Sequence, residues 1–190
     1  MESITFRISG QALLMHNIRL ANPLDEHTKR LKAISSIRKK TDENLADLAN
    51  AEFEGALYYD EAMGPYIPGI WLDAALFDGA KLQKNGGRIK QAAITREDKI
   101  KLFYDGPRDL KSLMREPRFH DVRAVGVMRA KVMRCRPKFT GWAAEFTVDY
   151  DAGILDKSVL VQSLQAAGRY RGIGDFRPHF GRFDVEVVKG

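Results

Sequence analysis

The sequence predicts an α+β fold in strand–helix–strand–strand–helix–strand order, the split βαβ arrangement of a ferredoxin-like (RRM-like) core. Three observations carry this. Residues near both ends of the chain alternate in polarity, at 4–9 and 182–188. Two amphipathic helical patterns occupy 70–82 and 157–167, and a strand-rich stretch lies between them at 122–150. At 190 residues and 44% apolar, the chain is one domain with enough apolar surface to bury a core. It reads as a single domain, 1–190, with a helical insertion at about 20–60 after the first strand and an irregular one at about 86–120 before the central hairpin.

In the first strand Ile4, Phe6 and Ile8 face one way and Thr5 and Arg7 the other; Gly10 ends it, and Ala12-Leu13-Leu14-Met15 extends or resumes it. Beyond Pro23 a long polar helical pattern follows. Asp25 is placed to cap it, and Leu31, Ile34, Ile37, Leu45 and Leu48 form a loose stripe, the pattern of a mobile surface insertion. Residues 53–59 read as a short strand. Gly64-Pro65-Tyr66-Ile67-Pro68-Gly69 is a rigid turn whose two prolines bar a helix. The helix follows at once, with Leu72, Ala75, Leu76 and Ala80 at three- and four-residue steps until Gly86-Gly87.

Residues 87–118 read as irregular, with short elements bounded by Gly106-Pro107 and Pro117. A strand at 122–135, with Val125, Val127, Val132 and Met133 as its candidates for burial, ends at Pro137. Gly141 opens its hairpin partner at 142–150, where Ala144, Phe146 and Val148 share a face. Asp156 caps the second helix, which carries Val159, Leu160, Leu164 and Ala167, and Gly168 closes it. Phe183, Val185 and Val187 alternate in the last strand. Two helices on one face of an antiparallel sheet leave the other face free to bind something.

Composition excludes several classes. An apolar fraction of 44% is too high for a disordered chain. Cys135 is the one cysteine, so neither an intramolecular disulfide nor a multi-cysteine metal site is available, and a reducing, cytoplasmic setting is expected. The start Met1-Glu2-Ser3-Ile4-Thr5-Phe6 lacks the pattern of a signal peptide, and no run approaches a membrane span. His16, His27, His120 and His179 have no metal-ligand spacing, so no metal or other cofactor is expected.

Charge is segregated more than its net of +6 suggests. Lys29, Arg30, Lys32, Arg38, Lys39 and Lys40 form an acid-free cluster. Between 108 and 138, Arg108, Lys111, Arg115, Arg118, Arg123, Arg129, Lys131, Arg134, Arg136 and Lys138 face only Asp109, Glu116 and Asp121. Arg169, Arg171, Arg177 and Arg182 face Asp175 alone. One such cluster is an ordinary solvated face; three suit a polyanion, which is concentrated by a basic stripe and releases its counterions there.

Two segments go further. The turn into the first helix, Tyr66-Ile67-Pro68-Gly69-Ile70-Trp71-Leu72, presents unpaired backbone N–H groups, which suit a phosphate if the turn is more than a tight connection. The stretch 168–183 holds four glycines, four arginines and several aromatics, including Arg169, Tyr170, Arg171, Phe176, Arg177 and Arg182. Glycine lets a backbone approach a phosphodiester, arginine pairs with phosphate and aromatic rings stack on bases. The plainer reading is a long turn with solvated arginines.

Together these segments resemble the RAMP superfamily, the repeat-associated proteins of CRISPR systems, and its guide-lining backbone subunits in particular. Ile67-Pro68-Gly69-Ile70-Trp71-Leu72 matches the family's "IPG-x-x-L" turn, while Gly172-Ile173-Gly174 and Phe180-Gly181-Arg182-Phe183 match its Gly-rich loop loosely. The match covers about a third of a chain that is short for such a subunit, a length that also fits a virus- or prophage-encoded relative or a mimic. The resemblance implies copies assembled head-to-tail along single-stranded RNA or DNA, or with other subunits of a ribonucleoprotein complex. Processing nucleases of the superfamily place a general base in regions occupied here by His16 and His179. Some target-cutting subunits use an Asp in the region of Asp25.

The expected activity is sequence-independent binding of single-stranded nucleic acid, RNA preferred, without catalysis. Lys29, Arg30, Lys32, Arg38, Lys39 and Lys40, with Arg134, Arg136 and Lys138, would track phosphates, and the 168–183 loop would clamp backbone and stack bases. The alternatives are a metal-independent endoribonuclease and a protein that binds or mimics a CRISPR complex through protein surfaces. Cys135 reads as a strand residue despite flanking arginines that would lower its pKa. Trp71 and Trp142 read as core or subunit-contact residues.

Overall fold

The first and last strands of the chain are neighbours in one mixed-length antiparallel sheet. The computed structural model describes residues 1–127 and 130–189; Arg129 of the second basic cluster lies outside them. Along the chain the elements are β1 (Glu2–Leu14), α1 (Glu26–Ser35), α2 (Asp42–Ala56), β2 (Tyr59–Asp60), β3 (Gly64–Pro68), α3 (Gly69–Lys81), α4 (Gly86–Ala92), β4 (Ala93–Thr95), β5 (Lys99–Phe103), α5 (Leu110–Arg115), β6 (His120–Val127), β7 (Ala130–Tyr150), α6 (Lys157–Tyr170) and β8 (Asp184–Lys189). The sheet runs β2-β3-β5-β7-β1-β8, with β4 and β6 also paired to β7. All of its pairings are antiparallel.

The alternation of β1 explains its place. Ile4, Phe6 and Ile8 are fully buried while Ser3, Arg7 and Ser9 are exposed. The buried set shares one core with Ala144, Phe146 and Val148 of β7, Leu72 and Leu76 of α3, and Leu160 and Leu164 of α6. Phe6 and Phe146 meet at 5.8 Å between ring centres. Fully burying a side chain of this size stabilises the fold by about 1.5–3 kcal/mol. The opposite face of β1 is open.

The helices at 70–82 and 157–167 and the last strand fall where the sequence predicts them. Asp25 caps α1, accepting from the His27 N–H at 2.9 Å. Gly168 does not close α6, which runs on to Tyr170. A Cβ there would overlap the Phe183 carbonyl, so glycine is needed for the approach of the last strand. Gly64–Pro68 is a strand rather than a turn.

The central hairpin is displaced from its expected position. β6 pairs with the first third of β7, Val127 opposite Ala130 and His120 opposite Pro137, and β7 continues unbroken along β1. Pro137 does not end a strand because it sits at a change of partner. The ladder to β6 finishes at Pro137, the ladder to β1 begins at Lys138, and the Pro137 carbonyl still accepts from Met15. The place beside β7 that the 122–135 strand was expected to fill belongs to β4 and β5, from the segment read as irregular.

Residues 53–56 are helical, not extended. Ala51, Glu52, Phe53, Gly55 and Ala56 of α2 are buried, and Phe53 stacks on the His120 ring at 4.4 Å. The 20–60 insertion is therefore anchored to the hairpin at its C-terminal end. Thr41 and Asn44 form a reciprocal capping box at the start of α2.

Candidate nucleic-acid interface

Three distant parts of the chain meet at the far end of β1. β8 follows β1 only as far as Ser9. Beyond it the loop between α6 and β8 takes over the edge: Gly181 N–H donates to the Ala12 carbonyl at 2.8 Å, and Asp175 N–H to the Leu14 carbonyl at 2.9 Å. Ile173, buried at the centre of the loop, donates to the Gly181 carbonyl at 2.9 Å. Gly174 and Gly181 have φ of +78° and +76°, and a Cβ would overlap the Leu14 carbonyl at the first and the Ile173 carbonyl at the second. These glycines therefore close protein backbone on protein backbone, not on a phosphodiester as the sequence suggested.

What the closed loop displays is basic and aromatic. Arg169, Tyr170, Arg171, Phe176, Arg177, His179 and Arg182 are all exposed. Arg182 donates to the Pro178 carbonyl at 3.0 Å, and Arg177 lies 4.0 Å from Asp78. Arg169 is 5.9 Å from the Tyr170 ring centre at the end of α6.

The loop is strapped to the hairpin. Arg136 of β7 pairs with Asp175 at 3.0 Å, and Arg123 of β6 lies over the rings of Phe176 and Phe180, at 5.2 and 4.5 Å. Asp121 holds the Arg123 guanidinium with both oxygens. Arg134, directly opposite Arg123, pairs with the buried Glu52 at 2.8 Å, and Glu52 also accepts the Cys135 N–H at 2.7 Å. Arg134, Arg136 and Lys138 thus share one side of β7, behind which Cys135, Pro137 and Phe139 are buried. The two arginines have structural partners; Lys138 has no ion pair among the described residues. In the sequence Arg123 and Asp121 are only members of a charge cluster, Phe180 only part of a glycine-rich stretch, and Glu52 carries no signal, because their contacts depend on the folded register of β6 on β7.

Beneath the loop runs a groove of about 1020 Å³, lined among others by Ser9, Gln11, Gly141, Arg169, His179 and Arg182. Trp142 is also part of its wall, 1% exposed, with an indole N–H that has no hydrogen-bond partner.

The 29–40 cluster stands apart. Lys29 pairs with Glu26 and Arg30 with Glu54, each at 2.8 Å, while the Lys40 ammonium donates to the Ser35 and Ile37 carbonyls at the end of α1. Lys32, Arg38 and Lys39 are exposed without an ion pair among the described residues. No hydrogen bond or ion pair there links this cluster to the 168–183 loop.

At the start of α3 the N–H and the free side of Gly69 are already taken by protein backbone. Gly69 N–H donates to the Asp98 carbonyl at 2.9 Å, and the Glu97 carbonyl fills the place of a Cβ. Glycine at position 69 thus has a packing reason. Burial, aided by Glu52, pushes the Cys135 thiol up to about 11, against the lowering by Arg136, which favours the protonated thiol near neutral pH. Partial desolvation of the otherwise exposed His16 ring, then the charges of Arg136 and Arg134, hold its imidazole below its ordinary value, with Asp175 opposing. No group of three or more potential metal ligands and no helix able to cross a membrane occur among the described residues. The chain matches no protein-family model and no curated protein.

Proposed function

We propose that this protein binds single-stranded nucleic acid without regard to sequence, RNA preferentially, as a non-enzymatic subunit. In this reading β8-β1-β7-β4, with α3 and α6, form a ferredoxin-like core, and the resemblance to RAMP backbone subunits supports copies joining head-to-tail along the strand. One observation carries the proposal: the closed 168–183 segment presents four exposed arginines and an exposed Phe176, with Arg169 and Arg182 lining the groove, and is strapped to the basic side of β7. Such a surface attracts phosphates by charge and offers a ring face to any base. Arg171, Arg177 and Arg182, with Arg169, contact the backbone of the strand. Arg134 and Arg136, already paired, shape the loop's bed more than they bind.

The test is fluorescence anisotropy with labelled single-stranded RNA over a salt series. Affinity should fall steeply with salt, by about 0.7 log units per log unit for each phosphate engaged. Arg169→Glu/Arg171→Glu/Arg177→Glu should lose most of it while keeping the circular dichroism of the wild type. An unaffected triple variant overturns the proposal.

A second reading, metal-independent endoribonuclease, draws on His16 alone. Desolvation, then the charge of Arg136, holds its imidazole below the ordinary histidine value, a direction that suits a general base. RNA cleavage in EDTA that vanishes in His16→Ala would support it.

A further inference from the structure

The groove extends past the loop onto the open face of the sheet. Ser9 of β1, Ala143 of β7 and Asp184 of β8 line it and stand opposite one another in the ladders. Phe103 of β5 stands opposite Ala143 from the other side. Residues directly opposite in an antiparallel sheet share a face. A row Asp184–Ser9–Ala143–Phe103 therefore crosses the sheet on the side away from the core.

Phe103 is 37% exposed at the end of this row, and its neighbours Ala143 and Ser9 are too small to cover its ring. Two cations flank it: the Arg7 guanidinium at 5.8 Å and the Lys101 ammonium at 5.7 Å from the ring centre. Lys101 has no ion pair among the described residues, and Arg7 has one long contact, 3.9 Å, to Glu145. The other end of the face is acidic, with Asp184 in the row and Glu186 opposite Arg7 in the next. A polyanion leaving the groove is thus repelled from β8 and drawn toward β5.

We infer that a single strand held at the loop continues along the groove and stacks one unpaired base on Phe103, its phosphates held by Arg7 and Lys101. This rests on the single-strand reading above. A duplex hides its base faces from such a ring, and an unpaired base offers one. The sheet face is in this way a second contact, separate from the arginine loop.

Two labelled oligoadenylates, of about 4 and about 16 nucleotides, test the inference by anisotropy. The longer should bind the wild type more tightly. Phe103→Ala should weaken the longer one by about tenfold and leave the shorter one nearly unchanged. Phe103→Leu, which keeps the apolar bulk without a ring, should behave like Phe103→Ala, and Phe103→Trp should restore affinity. Equal binding of the longer strand by wild type and Phe103→Ala overturns the path. So does equal sensitivity of a duplex of that length to Phe103→Ala. Failure of the wild type to bind either strand overturns the single-strand reading itself, and the inference with it.

Discussion

The 29–40 segment and the 168–183 loop have similar basic character in the sequence, but the fold uses them differently. In the first, Lys29 and Arg30 pair with acids on α1 and α2, Lys40 covers carbonyls at the end of α1, and the remaining cations project from a polar helix and its connection. In the second, buried backbone closure at Ile173 and Gly181 fixes the positions from which arginines and a phenylalanine project. A cation on a rigid mount has already lost the freedom that binding would otherwise remove, so equal charge does not mean equal affinity. Mounting separates the two clusters, not charge.

The sharpest way to break the comparison is to unmount the loop. Gly181→Ala places a methyl group on the Ile173 carbonyl at φ +76° and should cost about 3 kcal/mol or more in urea unfolding. Gly87→Ala, with open space around it, should change stability by about 0.5 kcal/mol or less. Charge reversal comes next: Arg169/Arg171/Arg177 to Glu should weaken RNA binding about a hundredfold, and Lys32/Arg38/Lys39 to Glu only a few-fold, in the same salt. Equal losses would mean that charge alone decides. Glu52→Ala leaves the Cys135 N–H unpaired and Arg134 without its carboxylate. It should cost about 2 kcal/mol, and Glu52→Gln less, by thermal unfolding.

The smallest effect is on pH. Burial lowers the pKa of His120, which stacks on Phe53 with its Nε2 unpaired. The unfolded chain therefore takes up this proton first. Stability should be full above the ordinary histidine value of 6.5 and decline as pH falls below it. His120→Phe should flatten that decline; an unchanged slope would show that His120 does not titrate on unfolding.

Long, strongly periodic elements were legible in the sequence. The alternation Ile4, Phe6, Ile8 and the apolar steps of α3 and α6 specify buried faces whatever they pack against. Pro137 misled because a proline is normally a strand breaker, and only the tertiary change of partner excuses it. The strands β4 and β5 were illegible because each is short and half polar, and their place is set by β7. Phe53 and Gly55 look like strand ends until Glu52 is seen to need a helix that points it at Arg134. At the interface, the loop arginines were legible by type, while the Arg123–Phe180 contact depends on hairpin register and leaves no local signature.

The ladder between β1 and β7 sets an order of events in the life of the chain. Leu14 meets Lys138 and Glu2 meets Tyr150, so β1 leaves the ribosome well before the strand it pairs with. Such distant pairings form slowly. Until then Ile4, Phe6 and Ile8 remain an uncovered apolar stripe on the nascent chain, available to a chaperone or to another unfinished copy.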